Sequence, residues 1–443
     1  MSQPIPGTPS LLRAINDRAA LMVLLERGPL TRPELGALTG LSKPTASQLL
    51  SRLQEAGLVV LDGIREGLPG RTAELYRINA SAAYVAALDV TPARIAVAVA
   101  DITGTVVSEF RLPTPGRTGG DIVERVRAAL DGACAAVKTD ASPDATGDAT
   151  ADAAEAGAKP GTGIDITALR RVVIGIGGAV DPSTGRLGYA AHIPGWHISD
   201  VVGTLRDGVG VPVDVENDVN LVAQAEQARG AARGHQDYVL LWADEGIGSA
   251  LVLGGRLHRG ATGGAGEVGY MPAIGAPTAR DVGRRADHGF QALAGGPAVL
   301  RIMRAHGLRG ATPAAAVQNA VRAVESGGRL AAAAGEALHE LASRLAVGLG
   351  AITAVVDPEI VVLSGGVLIA GGDTLRELVE RELHTLTIPR PPLRLSTVEG
   401  NPVLTGALDL ALDTARDEVF GSAGRREAPE RGGTPLVTTP LRP

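Results

Sequence analysis

Apolar and polar positions in the first eighty residues alternate with the period of an α-helix. Residues 11–26 carry apolar side chains at helical spacing, and Gly28 with Pro29 ends that segment. Thr31 stands three residues before Glu34, which is the pattern of a capping box at the start of a second helix. The spacing predicts that the buried face of this second helix carries Leu35 and Leu38.

A third helix follows, with Ser42 as its predicted N-cap and Gly57 at its predicted end. Its apolar positions repeat at i, i+3, i+4 and i+7, and these inward-facing residues are Ala46, Leu49, Leu50 and Leu53. Two strands at 58–61 and 73–78, joined by a tip at 67–71, complete the pattern. We therefore predict a domain of three helices and a β-hairpin at residues 10–80.

From residue 81 onward, short apolar runs alternate with helical segments, as they do in α/β folds. The predicted strands are 84–90, 94–100, 105–110, 171–176, 212–215, 237–243, 249–253 and 359–364. The predicted helices are 121–137, 197–207, 218–233, 297–305, 312–325, 331–356 and 403–414. Residues 81–412 therefore form a second, α/β domain.

Two stretches contain too few large apolar side chains to build a core. Residues 138–166 are mostly Ala, Asp, Gly and Thr, and residues 413–443 are polar and rich in Arg, Glu, Gly and Pro. Such segments bury too little apolar surface to offset the entropy of ordering the chain. We expect a disordered insertion at 138–166 and a disordered tail at 413–443.

Composition narrows the class of protein. Hydrophobic residues make up 45% of the 443 residues and aromatic residues only 2%, so the cores must be built from Val, Leu, Ile and Ala. No uncharged apolar run reaches the ~18 residues of a membrane-spanning helix, and the N-terminus has no signal-peptide pattern. The single cysteine, Cys134, excludes an internal disulfide and a multi-cysteine zinc site. We expect a cytoplasmic protein with no membrane partner.

Charge is unevenly distributed along the chain. The net charge is −6, but residues 1–80 hold nine basic and seven acidic residues, which leaves +2 there and −8 elsewhere. The outward face of the third helix is polar to basic, with no carboxylate before Glu55. This face suits the recognition helix of a winged helix-turn-helix, whose first residues contact base edges and phosphates.

The predicted DNA contacts are Ser42, Lys43, Thr45, Ser47, Gln48 and Arg52 on the helix, and Arg71 in the wing. A small helical domain used for protein contacts is the alternative interpretation of the same pattern.

Short motifs rich in glycine and polar residues follow one another through the second domain. They are Leu88-Asp89-Val90, Asp101–Gly104, Gly175–Asp181, Thr184-Gly185, Ile193–Trp196, Glu216–Asn220, Gly246–Ser249, Gly263–Tyr270, Leu363–Val367 and Gly406-Ala407. In this order and spacing they resemble the ROK family of repressors and sugar kinases. Thr39–Thr45 and Pro69–Arg71 resemble the DNA-binding half of that family's repressors, of the xylose-repressor and N-acetylglucosamine-repressor type.

The resemblance implies an α/β chain in which a winged helix-turn-helix precedes a two-lobed, actin-like (ribonuclease H-like) sugar-kinase fold. The sugar-binding residues that it implies are Gly178, Asn217, Asp218, Glu267 and Tyr270. Asp218 would hold the position of the base that accepts the proton of the attacking hydroxyl in the kinases. Ordinary turns would also explain the glycines, and a helix cap would also explain Asn217 and Asp218.

The chain departs from the kinase pattern at the phosphate loop. Kinases of this family place Asp-x-Gly-Gly-Thr after the first strand, whereas Val90-Thr91-Pro92-Ala93 follow Asp89 here. Both glycines are absent, and Pro92 has no N–H to donate to a phosphate.

The family's zinc motif is also absent, because residues 272–291 contain no cysteine. Tyr270 stands at the position of the motif's histidine, and Gln291 aligns with a sugar-binding glutamate of the family. We expect His288 to be a surface residue and no metal or cofactor to be bound.

These losses favour a sensor over a catalyst, with Asp218 as a vestigial base and no enzyme activity. The predicted function is a sugar-responsive transcriptional regulator, a repressor of carbohydrate-metabolism genes. It would bind a palindromic operator as a homodimer or homotetramer and take a sugar or sugar phosphate as effector. Two alternatives stay open: a DNA-binding regulator whose second domain only dimerises or binds a protein, and an active ROK sugar kinase.

Overall fold

The computed structural model describes residues 9–66, 72–114, 121–137, 163–188, 195–196, 198–283 and 287–422. The chain divides into two compact units, Met1–Ala83 with Thr414–Pro443, and Tyr84–Asp413. Arg71 and the rest of the predicted wing tip at 67–71 lie outside the described residues.

The N-terminal unit contains the three predicted helices and the hairpin. Its elements are α1 (Pro9–Arg27), β1 (Leu30–Thr31), α2 (Arg32–Thr39), α3 (Lys43–Glu55), β2 (Val59–Glu66) and β3 (Thr72–Ile78). The strands form an antiparallel sheet in the order β1-β3-β2. Thr31 and Glu34 cap α2 reciprocally, and Ser42 accepts a hydrogen bond from the N–H of Thr45 at the start of α3. Both predicted caps are confirmed.

The core of this unit uses the predicted face of α3, where Ala46, Leu49, Leu50 and Leu53 are buried. The prediction for α2 is half right, since Leu35 is buried but Leu38 is 51% exposed. The buried residues of this eight-residue helix are the adjacent Leu35 and Gly36, so Leu38 falls at the edge of the buried face.

The second unit contains two five-stranded sheets among its described residues, one in each lobe. The first lobe has the order β10-β7-β4-β5-β6, in which β4, β7 and β10 are parallel. Trp196 is buried in the core of this lobe. Its elements are β4 (Tyr84–Val90), β5 (Arg94–Asp101), β6 (Val106–Pro113), α4 (Ile122–Ala135), β7 (Leu169–Ile176), β8 (Ala179–Val180), β9 (Leu187–Gly188), α5 (Val201–Val209) and β10 (Val213–Asn217).

The second lobe has the strand order β13-β12-β11-β14-β15, with β11, β14 and β15 parallel. Its strands are β11 (Tyr238–Ala243), β12 (Ile247–Leu253), β13 (Arg256–Leu257), β14 (Ile360–Ser364) and β15 (Leu393–Leu395). The remaining helices are α6 (Asp218–Arg229), α7 (Ala279–Val282), α8 (Gly289–Ala294), α9 (Gly296–Ala305), α10 (Pro313–Ser326), α11 (Ala331–Val356), α12 (Gly366–Leu386) and α13 (Pro402–Ser422). Single 3-10 turns occur at Ala80–Ala82, Ile166–Ala168 and Val268–Tyr270. The two lobes have the predicted sugar-kinase type of fold.

Two segments that the sequence predicts to be disordered are partly ordered. At the end of the predicted insertion, the N–H of Ile164 donates to the carbonyl of Cys134 at 3.1 Å, and Ile166 is buried. The predicted tail begins too early, because α13 continues to Ser422 and buries Phe420. Residues 138–162 and 423–443 lie outside the described residues.

Helix α11 is long and apolar enough to cross a membrane by length and composition. Half of its most apolar window is buried inside the protein, where α11 packs against α10 and α12. It therefore has the character of a core helix.

Candidate functional site

The outward face of α3 is the candidate DNA-binding surface. Ser42, Lys43, Thr45 and Gln48 are exposed, and Ser47 is half-buried. The hydroxyl groups of Ser42 and Thr45 lie 2.8 Å apart and pair with each other at the N-terminal end of the helix. The first turn of α3 contains no acidic side chain, so its N–H groups and Lys43 face solvent without a competing carboxylate.

Arg52 has a partner within the protein, contrary to its assignment as a DNA contact. Its guanidinium donates to the carboxylate of Asp17 at 2.6 Å, and the side chain of Asp17 is fully buried. The pair therefore joins α3 to α1. The sequence analysis did not single out Asp17, although a carboxylate inside the apolar pattern of residues 11–26 is the signal that marks it.

Three loops of the second unit meet at the end of β10. Asn217 is the N-cap of α6: its Oδ1 accepts the N–H of Asn220 at 3.0 Å, and its Nδ2 donates to the carbonyl of Gly178 at 3.0 Å. Glu216 accepts from Arg259 at 2.6 Å, and this bond holds the loop that leads to Glu267. The structure thus joins the segments that carry the predicted sugar-binding residues.

Glycine makes the approach of these loops possible. A Cβ on Gly263 would lie 2.4 Å from the carbonyl oxygen of Val180, and its φ of +79° is one that L side chains rarely adopt. The 259–267 loop can therefore lie against β8 only with glycine at this position.

Asp218 and Glu267 are half-buried carboxylates with unusual protonation behaviour. Burial, assisted by the negative charge of Asp89, raises the pKa of Asp218 to about 6. Burial and the charge of Asp218 raise the pKa of Glu267 to about 7. Asp218 Oδ1 accepts the N–H of Val219 at 2.8 Å, whereas Glu267 accepts no side-chain hydrogen bond from the described residues. The two carboxylates therefore retain acceptor capacity for a ligand with several hydroxyl groups.

The helix-cap alternative for Asn217 and Asp218 is correct for Asn217 alone. Asp218 is the first residue of α6, and the side chain of Asn217 makes the cap. Capping uses Oδ1 of Asn217 and one bond of its amide, so the second amide N–H remains for a ligand.

Tyr270 is 44% exposed at the end of the 3-10 turn that follows Glu267, and its ring lies 5.7 Å from that of His288. The prediction that His288 is a surface residue is wrong, because only 9% of it is exposed.

Gln291 fixes the turn between β11 and β12. Its Oε1 accepts the N–H of Ile247 at 2.8 Å, and its Nε2 donates to the carbonyl of Glu245 at 3.1 Å. This residue therefore has a structural role at the position that aligns with a sugar-binding glutamate.

The loop between β4 and β5 is a tight hairpin turn. The N–H of Thr91 donates to the carbonyl of Arg94 at 2.9 Å, and the N–H of Arg94 donates to the Thr91 hydroxyl at 3.2 Å. Asp89 is 7% exposed and accepts from Asn401 at 2.8 Å and from Arg94 at 3.3 Å. These N–H groups and Asp89 are already hydrogen-bonded within the protein.

No group of three or more His, Cys, Asp and Glu side chains in the described part of the chain is placed to hold a metal ion.

Known proteins and protein families are similar to each of the two units. A sequence model of the MarR family matches residues 15–66. The bifunctional enzyme NanE/NanK of Brucella suis biovar 1 (strain 1330) is 35% identical over 208 residues, which are 46% of this chain and 35% of that enzyme. The xylose repressor of Bacillus subtilis (strain 168) is 25% identical over 268 residues, which are 59% of this chain and 61% of the repressor. The chain thus spans about a third of the bifunctional enzyme and less than two thirds of the repressor.

A solved structure of a ROK family transcriptional regulator, a homologue of the E. coli MLC protein, covers 93% of this chain and 99% of its own. Its TM-score is 0.64 at 16% sequence identity, which shows a common fold. A sequence model of the ROK family matches residues 164–414, more than half of the 443 residues. With a MarR-type winged helix in front of a ROK domain, this chain belongs to the ROK family.

Proposed function

We propose that this protein is a sugar-responsive DNA-binding regulator of transcription, a repressor of carbohydrate-metabolism genes. The observation that carries the proposal is the pair of half-buried carboxylates, Asp218 and Glu267, in a chain that also has an exposed recognition helix. Carboxylates with raised pKa values in a partly buried site gain stability when a ligand donates hydrogen bonds to them. Sugar hydroxyl groups are such donors.

Its relatives support this choice of ligand and partner. The chain is similar to the xylose repressor of Bacillus subtilis, whose name describes a sugar-linked repressor, and to a ROK family transcriptional regulator. The fold match with that regulator covers 93% of this chain and therefore extends over parts of both units. A transcriptional regulator of this kind acts in the cytoplasm.

The sugar-binding set proposed is Gly178, Asn217, Asp218, Glu267 and Tyr270, and the DNA-binding set is Ser42, Lys43, Thr45, Ser47, Gln48 and Arg71. Arg52 is left out because Asp17 holds it.

Catalysis of phosphoryl transfer is not part of the proposal. Phosphoryl transfer depends on positioned backbone donors and cations around the phosphates. The donors of Thr91 and Arg94 are used within their own hairpin, and Pro92 has none. An active sugar kinase is the second candidate, favoured by the similarity to NanE/NanK and by Asp218 at the position of the base.

The test measures sugar binding and DNA binding on one full-length preparation. An operator is first selected from random duplexes, and calorimetry then screens pentoses, hexoses, N-acetylhexosamines and their phosphates. We expect one of them to bind, to change operator affinity about 5–150-fold, and to bind far more weakly to Asp218→Asn.

If no sugar or sugar phosphate binds, or if one binds without altering operator affinity, the second domain only dimerises or binds a protein. Phosphorylation of a hexose at about 1–100 per second would instead establish the kinase.

A further inference from the structure

The turn between β11 and β12 lies where α/β proteins bind ligands. Strands β11 and β14 are parallel, with Trp242 opposite Ser364, so their carboxyl ends meet at one edge of the second-lobe sheet. In α/β folds ligands bind beyond this edge. The 21-residue helix α12 begins there at Gly366, and a helix N-terminus attracts anions through its free N–H groups and its dipole.

An anion belonging to the protein already lies at this position. Both carboxylate oxygens of Asp244 lie 3.1 Å from the point where a Cβ on residue 366 would stand. The backbone N–H groups of Gly366 and Glu245 interact with the carboxylate and partly offset the effect of burial, which raises the pKa of Asp244. The first turn of α12 is thus neutralised by a side chain from the neighbouring strand.

The backbone fits closely around this arrangement. Gly365 has a φ of +91°, and a Cβ on it would lie 2.5 Å from the carbonyl oxygen of Ala243. The end of β11, which leads into Asp244, is therefore packed through its main chain against the residue that precedes α12.

A second helix N-terminus meets the same turn. The N–H of Gly296, at the start of α9, donates to the carbonyl oxygen of Glu245 at 3.1 Å, and Gln291 holds that carbonyl as well. The side chain of Glu245 remains exposed beside Asp244. None of the ion pairs among the described residues includes either carboxylate, so no basic side chain there offsets the negative charge of the turn.

We propose that Asp244 is an internal anion that fills the anion-binding position at the N-terminus of α12, so that the domain rejects nucleotides and other polyphosphates. Glu245 strengthens the rejection by like-charge repulsion. The chain then differs from a sugar kinase in two ways: it lacks the glycine phosphate loop after β4, and it has a carboxylate at the start of α12. This carboxylate occupies the place that a nucleotide phosphate would take at the start of α12.

The test is phosphate binding by the full-length chain without sugar or DNA, so its failure would leave the regulatory proposal intact. Calorimetry with inorganic triphosphate and with Mg-ATP compares wild type, Asp244→Gly and the double variant Asp244→Ala/Glu245→Gln. Asp237→Gly is the matched control, since Asp237 accepts the N–H of Gly254 at 2.6 Å beside the opposite end of β11.

We expect no detectable binding to wild type or to the control, and an affinity for triphosphate at least about tenfold above the detection limit in Asp244→Gly. The double variant removes both charges and the side-chain atoms of Asp244 that fill the position, and alanine restrains the backbone more than glycine does. It should therefore also gain binding if the glycine variant does not fold. Binding to wild type as tight as to the variants, or no gain in either folded variant, would overturn the proposal.

Discussion

At the scale of the residue, the most informative groups are carboxylates whose surroundings disfavour their charge. Burial raises the pKa of both Asp218 and Glu267; the negative charge of Asp89 adds to the effect on Asp218, and that of Asp218 to the effect on Glu267. Among the described residues, no cation beside either carboxylate offsets this cost. Carboxylates whose charge is disfavoured by burial are common at functional sites, where a bound ligand can offset the unfavourable free energy. If the two residues bind sugar as proposed, we expect sugar affinity to be sensitive to pH near neutrality.

We predict that sugar affinity weakens as the pH falls. With a pKa of about 7 for Glu267 and about 6 for Asp218, each carboxylate takes up a proton between about pH 8 and pH 5 and loses capacity to accept from a hydroxyl group. Calorimetry should show roughly tenfold weaker binding at about pH 5.5 than at about pH 8 and a release of protons on binding near pH 7.

In Glu267→Gln the upper part of this pH dependence should disappear, while the part that depends on Asp218 remains. Sugar affinity that is constant over the whole range would show that neither carboxylate accepts from the ligand.

Residue types and spacing identified segments that meet in the fold, but the partners of individual side chains across the fold could not be predicted. The segments of Gly178, Asn217, Asp218 and Glu267 do meet, because their motifs end strands and loops on one side of the fold. Arg52 was assigned to DNA because its position on the helix is polar, yet its partner is 35 residues away in sequence. Spacing along a chain carries no information about such a pair.

At the scale of the element, α3 combines an exposed polar face with one buried ionic contact. Its caps and its apolar stripe followed from the sequence, since both depend on residues within a few positions of each other. Several short elements could not be predicted from the sequence, because they have too few residues to show a period. These are the strands β8, β9, β13 and β15 and the helices α7 and α8. The sequence analysis ended this last helix at residue 414, whereas α13 ends at Ser422. The residues after 414 are mostly polar, so the apolar pattern did not indicate that Phe420 is buried.

We predict that Arg52 and Gln48 affect operator binding for different reasons. Arg52→Met leaves the fully buried Asp17 without its cation and should destabilise α3 by about 2 kcal/mol, less than the ~3–5 kcal/mol of a fully buried pair, because Arg52 is partly exposed. Hydrogen exchange across residues 43–55 of the full chain should therefore accelerate. Gln48→Ala should weaken operator binding by about 1–3 kcal/mol with unchanged exchange.

Arg65→Met is the control, because the pair of Arg65 with Glu34 is exposed and worth less than about 1 kcal/mol. Equal exchange in the Arg52 and Arg65 variants would mean that the Asp17 contact does not hold the helix in place.

At the scale of the whole molecule, an uncharged surface patch is the candidate interface for a second copy of the chain. Val355 is 85% exposed, Leu386 55% and Ile388 96%. They lie at adjoining ends of α11 and α12, where Leu386 packs near Gly350, and residues 345–356 contain no charged side chain. A patch without charge can face its own copy across a two-fold axis without repulsion. Such symmetry would match the two half-sites of a palindromic operator.

We predict that the wild type is a dimer and that Ile388→Glu is a monomer, because the substitution would place a charge in the centre of the proposed contact. Light scattering after size-exclusion chromatography measures the mass. Ile274→Glu is the matched control, since Ile274 is 88% exposed elsewhere on the same unit. A wild type that is monomeric at micromolar concentration, or a variant that stays dimeric, would remove this patch as the interface.

The two tryptophans of the chain, Trp196 and Trp242, both belong to the ROK domain, one buried in the first-lobe core and one in β11 two residues before Asp244. The DNA-binding residues 9–83 contain none. Indole fluorescence of the intact protein therefore reports on the effector domain alone, with operator DNA present or absent. Because Trp196 is shielded from water and Trp242 is only partly so, a soluble quencher should act mainly on Trp242. The chain thus has a built-in optical probe in each lobe, and a titration with sugar can be followed by emission without attaching a dye.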